Sequence, residues 1–172
     1  MKKWLCLMVV SMLFAGCGRQ ETLETVCDTY DIPQKQPMQQ AAVRIPEGAT
    51  AEVMQTEENN IWFCEDYVMT MQTLDAGDLD ETVQTVTGFD RKRLDMIKTT
   101  TDTAERYDWV WVSAGEEGDQ LCRGAILDDG NYHYVLTCMT DASKAPALQQ
   151  TWQSMFDSFR LTEPGLDPYT GS

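Results

Sequence analysis

The chain has 172 residues, with 13 Lys and Arg against 28 Asp and Glu, so its formal charge is −15, and 42% of it is hydrophobic. That length suits one domain, and 5 Trp, 6 Tyr and 5 Phe are enough bulk for a packed core, which excludes wholesale disorder. Nucleic acid is excluded as an expected partner, because phosphate binding needs clustered Lys and Arg and this net field repels it.

Residues 1–16 read as an export leader. Lys2 and Lys3 make a positive start, Trp4 to Ala15 is apolar apart from Ser11, and the small residues Ala15 and Gly16 precede Cys17. The apolar run is too short for a spanning helix, which needs roughly 20 residues to cross about 30 Å of hydrocarbon. Phe14-Ala15-Gly16-Cys17 resembles the lipobox of bacterial lipoproteins, with Phe14 standing where Leu is usual. That resemblance implies cleavage after Gly16, a diacylglyceryl thioether on Cys17, and a place on the extracytoplasmic face of the cell membrane. The chemistry requires cysteine because a thiolate is nucleophilic enough to take the lipid. Two acyl chains hold a protein stably on a bilayer, whereas one binds only marginally. With Lys2 and Lys3 removed, 11 basic residues face 28 acidic ones, a balance of −17. So acidic a body is repelled by anionic headgroups and is expected to stand off the membrane on its tether.

Residues 17–30 are assigned to the lipidated cysteine and a polar tether, 31–162 to one α+β domain, and 163–172 to a frayed tail. Ala42 to Ile45 reads as a strand ended by Pro46. A hairpin follows, with Ala51 to Gln55, a polar turn through Asn60, and a third strand from Ile61 that runs on through Cys64 toward Met71. Asp78 is a good N-cap for a helix to about Thr87, with Leu79, Val83 and Val86 on one face and Gly88 at its end. Asp95 to Thr101, Tyr107 to Val112, Gln120 to Leu127 and Tyr132 to Met139 read as strands. The last three form a meander whose second hairpin turns at Asp128-Asp129-Gly130-Asn131. Ala145 to Phe159 carries Leu148, Trp152, Met155 and Phe159 as one helical stripe. The order β-β-β-α-β-β-β-β-α predicts an antiparallel sheet flanked by two helices, an α+β sandwich. Tyr107, Trp109 and Trp111 share one face, Val110 and Val112 the other, and both faces are expected to be covered.

The closing pattern, Asp129-Gly130-Asn131-Tyr132-His133-Tyr134-Val135-Leu136-Thr137 followed by Trp152-Gln153-Ser154-Met155-Phe156-Asp157-Ser158-Phe159, is similar to the end of PsbP-like and DcrB-like proteins. The chain also resembles small cysteine-containing lipoproteins of Gram-positive bacteria. These resemblances imply a sheet flanked by helices and an extracytoplasmic accessory role, and bring no catalytic residues.

Cys27, Cys64, Cys122 and Cys138 remain in the mature chain and allow three pairings. A three-residue loop in the second hairpin would set Cys122 opposite Cys138, within disulfide range, and leave Cys27 for Cys64; a two- or four-residue loop would put Cys122 and Cys138 on opposite faces. A Cys27–Cys64 bridge would stabilise by about 3 kcal/mol. The alternative is four reduced cysteines acting as small hydrophobes. With no Cys-x-x-Cys and one histidine, no metal site is expected. His133 is expected on an edge or solvent-facing strand rather than as a general base. The acidic runs at 75–80 and 128–131 read as turn and cap chemistry rather than calcium loops. Arg91-Lys92-Arg93 is the one basic cluster, and no phosphate-cradling glycine loop implies a cofactor. The expected function is a non-enzymatic envelope module that binds another envelope protein or ligand; a small-ligand carrier and an enzyme of unrecognised type are the alternatives.

Overall fold

A computed structural model describes residues 39–51, 59–115 and 118–163. The leader, Cys17, the tether, Cys27 and the tail lie outside them. The order is β1 (Gln40–Ala42), β2 (Thr50–Ala51), β3 (Asn59–Phe63), β4 (Tyr67–Asp75), α1 (Leu79–Thr87), a 3-10 turn (Arg91–Arg93), β5 (Met96–Thr100), β6 (Glu105–Gly115), β7 (Gly118–Asp128), β8 (Tyr132–Asp141), α2 (Ala145–Ser158) and β9 (Arg160–Thr162). Seven strands form one sheet in the order β2-β3-β4-β8-β7-β6-β5, antiparallel throughout. β1 and β9 pair separately, Ala41 opposite Leu161.

The fold is the expected α+β arrangement, and two of its elements differ from the expected ones. The run through Cys64 is not one strand: the Cys64 amide donates to the Tyr67 carbonyl, and the chain reverses so that β3 and β4 pair with Phe63 opposite Val68. A polar Cys64-Glu65-Asp66 corner breaks the apolar alternation there. The first strand lies nearer the N-terminus than expected, because its partner is β9, a short segment after α2 that has no periodicity of its own.

Helix α1 begins and ends as its residues dictate. The Asp78 side chain accepts from the Asp80 amide at 2.9 Å, and Gly88, at φ 75°, closes the helix in the left-handed region. In the hairpin between β7 and β8, Gly130 takes φ 87°, while Asp129 accepts from the Asn131 and Tyr132 amides. These turn and cap bonds account for the acidic runs.

Alternation along the central strands builds a core on each side of the sheet. On one side Val83 of α1 packs on Tyr107, Trp109, Ile126 and Val135, with Trp109 and Trp111 stacked 6.0 Å apart. On the other, Trp152, Met155, Phe156 and Phe159 pack on Met69, Met71, Ala125, Leu127, Leu136 and Cys138. Arg106 holds the end of α2 in place. It donates to the Phe156 and Phe159 carbonyls and, bidentately, to Asp108 at 2.6 and 2.9 Å.

Candidate functional site

The two faces are not equally covered, contrary to the expectation that both would be. Helix α2 packs on β4, β7 and β8 and meets β6 at its end, through Arg106, leaving β5 and the rest of β6 open. Ile97, Val110 and Val112 are therefore left 69%, 54% and 51% exposed on the α2 side. An open groove of about 850 Å³ results. Its floor is Ile97 of β5, Asp108 and Val110 of β6, and Leu121 and Arg123 of β7, which the ladder brings onto one face. Its wall is the first half of α2, with Pro146, Gln149 and Trp152. Trp152 is buried, packs edge-on against Tyr67 at 6.0 Å, and leaves its indole N–H without a partner among the described residues.

The polar groups of this groove are few. Both oxygens of Asp108 are taken by Arg106, Asp95 lies exposed at the rim, and Arg123 is half-buried with its guanidinium 4.2 Å above the Phe156 ring. Burial draws the Arg123 pKa below the ordinary arginine value, and the Asp108 charge works against that shift. A mostly apolar cleft of this size with a few fixed polar groups has the make-up of a ligand site.

Cys64 and Cys138 share the core on the α2 side, while Cys122 lies on the other face of the sheet. The turn bond from the Asp129 amide to the Tyr132 carbonyl closes a two-residue loop, Gly130-Asn131, and the ladder places Cys122 opposite Met139 and Cys138 opposite Arg123. Cys122 and Cys138 therefore point to opposite faces, and both are free thiols, as is Cys64. Burial pushes the Cys122 thiol up to about 11 and that of Cys138 well above the usual thiol value. The Cys122–Cys138 bridge is thus corrected by the register. Cys27, the partner expected for Cys64, lies outside the described residues.

His133 is not at an edge. β8 is the middle strand of seven, and α1 covers it, leaving His133 only 1% exposed. Its Nδ1 is 2.7 Å from the Thr82 hydroxyl of α1, and its Nε2 is 3.6 Å from Asp128. Both ring nitrogens face partners beneath a helix. The basic run forms the 3-10 turn, where Arg91 pairs with Asp80 at 3.1 Å. Among the described residues no group of acidic, Cys or His side chains is placed to hold a metal, and no helix is long and apolar enough to cross a membrane.

No family model and no curated protein matches the sequence. Solved structures do. The yeast Saccharomyces cerevisiae Ran-binding protein Mog1p is similar at TM-score 0.51 and 12% identity, over 72% of this chain and 91% of that one. LpqN of Mycobacterium tuberculosis, involved in cell envelope biogenesis, is similar at TM-score 0.47 and 8% identity, over 73% and 84%. PA94 of Pseudomonas aeruginosa, of unknown function, gives TM-score 0.44 and 11% identity over 66% and 91%. What the chain shares with Mog1p is the fold.

Proposed function

We propose that this chain is a membrane-anchored extracytoplasmic lipoprotein whose α+β domain is a non-enzymatic binding module, with the groove beside α2 as its docking site. The observation that carries the reading is the apolar floor that α2 leaves open, with a single half-buried cation in it. Soluble domains seldom leave a concave apolar surface without an occupant for it. Sequence supplies the anchor: the leader, the small residues before Cys17, and a strongly acidic body that needs a lipid to stay at a membrane. Among the described residues the neighbourhood of the groove offers no activated nucleophile or base. Asp108 is neutralised by Arg106, and His133 is buried on the far face of the sheet.

Two measurements test this. Cys17→Ser is expected to release the product from the membrane fraction or leave it unprocessed; a variant still matured, lipid-labelled and sedimenting normally would overturn the anchor. A photo-crosslinking residue at position 110, in cells, is expected to give an adduct that the same residue at position 81, on the opposite face, does not. Equal labelling from both positions, or none, would remove the groove as the docking site.

A further inference from the structure

Arg123 enters the groove and makes no ion pair among the described residues. It stands on β7 directly across the ladder from Val110 and stacks on the buried Phe156 ring. The carboxylates whose charges act on it, Asp108 and Asp157, have their oxygens hydrogen-bonded to other groups. Asp108 binds Arg106 through both oxygens, and both oxygens of Asp157 accept from Gln153 Nε2 at 2.8 and 3.0 Å. Asp95 sits at the exposed rim, on β5's approach, and the first turn of α2 carries no acid. A guanidinium has five donors in a planar fork and no acceptor. Held half out of water against apolar walls, it favours an anion that brings two coplanar oxygens.

The rest of the groove sets the kind of anion. Ile97, Val110 and Leu121 form an apolar floor, so the ligand's body is hydrophobic. The protein's charge of −15 repels multiply charged ions at long range, which disfavours phosphates and other polyanions. A single carboxylate drawn in by its own apolar chain meets less of that repulsion. The volume, about 850 Å³, lies within the roughly 300–1,000 Å³ of small-molecule sites. We propose that the groove binds a small amphiphile with one carboxylate head, the head paired with Arg123 and the chain lying over Val110 and Ile97. This rests on the reading of the groove as the docking site and names its ligand class.

The test uses the full chain in zwitterionic lipid nanodiscs, titrated with decanoate and with decanol, each corrected against empty discs. Wild type is expected to prefer decanoate by about tenfold to a hundredfold, the span of a charge-assisted hydrogen-bonded pair. Arg123→Gln is expected to abolish that preference while leaving decanol binding in place. Val110→Glu sets a carboxylate opposite Arg123 on the ladder and supplies the missing counter-ion from within, so it should abolish the preference too. Because Val110 is exposed, this second variant decides the matter even if Arg123→Gln unfolds through loss of its contact with Phe156. Equal affinity for the two probes, or a preference that survives both substitutions, would overturn the assignment. Binding of neither probe would overturn it as well, and crosslinking from position 110 would show separately whether the groove is still a docking site.

Discussion

Gly124 offers a test of the packing on the α1 side of the sheet. It lies on β7 opposite Trp109, and a Cβ built there would fall 2.5, 2.7 and 2.9 Å from Cζ2, Cε2 and Cη2 of the indole. Carbon atoms pack at about 3.5–4.0 Å, so Gly124→Ala requires the ring to retreat by about 1 Å. It has no room to do so. Trp109 is 3% exposed, stacked on Trp111 and enclosed by Val83, Ile126 and Val135. Overpacking of this kind costs about 1–3 kcal/mol. Against it stands the backbone gain of alanine over glycine in a strand, roughly 0.5–1 kcal/mol. With the closest contact at 2.5 Å the clash falls in the upper part of its range, about 2–3 kcal/mol, and the net expectation is a destabilisation of about 1–2 kcal/mol. Urea unfolding followed by far-ultraviolet circular dichroism measures it without relying on the altered indole.

The cause is separated from the cost by a second background. All three contacted atoms belong to the six-membered part of the indole, so Trp109→Phe shortens the side chain away from position 124. In that background Gly124→Ala should be neutral or stabilising, since the new methyl enters space the smaller ring has vacated. A coupling of at least about 1 kcal/mol between the two substitutions is expected. A Gly124→Ala protein within 0.5 kcal/mol of wild type, or one that loses the same stability in both backgrounds, would refute the reasoning from these contacts.

Thr82→Val leaves His133 Nδ1 buried without its hydroxyl partner and should cost about 1–3 kcal/mol in the same unfolding assay, loosening α1 from the sheet. Buried thiols set the alkaline limit. Because burial raises the folded pKa of Cys122 from 9.0 to about 11 and also raises that of Cys138, the native state holds protons that the unfolded chain gives up, so stability is full below pH 9 and falls as pH rises toward 11. Replacing both by alanine should flatten that decline, and iodoacetamide should reach either thiol only on unfolding; rapid labelling of folded protein, or a Cys122–Cys138 disulfide in a non-reducing peptide map, would contradict the register.

Much of the sheet was legible because its strands announce themselves locally. The Tyr107 to Val112 alternation, the Asp-Gly turn and the Asp78 to Gly88 helix each carry their signal within a dozen residues, and each stands in the structure where those residues put it. Elements defined by distant partners were less visible. β9 is three residues long and exists because β1 is beside it, while the reversal at Cys64 depends on where β4 finds β8. His133 shows the same limit. Its flanking tyrosines suit an edge strand as well as a central one, and only the strand order, with β8 between β4 and β7, decides that it is buried.

The groove was invisible for a related reason. Alternation separated Val110 and Val112 from the aromatic face correctly, but the inference that both faces would be covered assumed a helix wide enough to reach them. Arg106 ties the end of α2 to β6 at the Phe156 and Phe159 carbonyls, while Val110 and Val112, further along that strand, stay open. Arg123 then had no mark of its own in a chain with more than twice as many acids as bases, since any of those acids could have been its partner. Its significance is a property of the register. β7 sets it opposite an apolar residue, Val110, while Asp108, one step along the same face, is already held by Arg106. An arginine becomes a recognition element when the ladder denies it a counter-ion, and that requires the pairing of three strands rather than the composition of one.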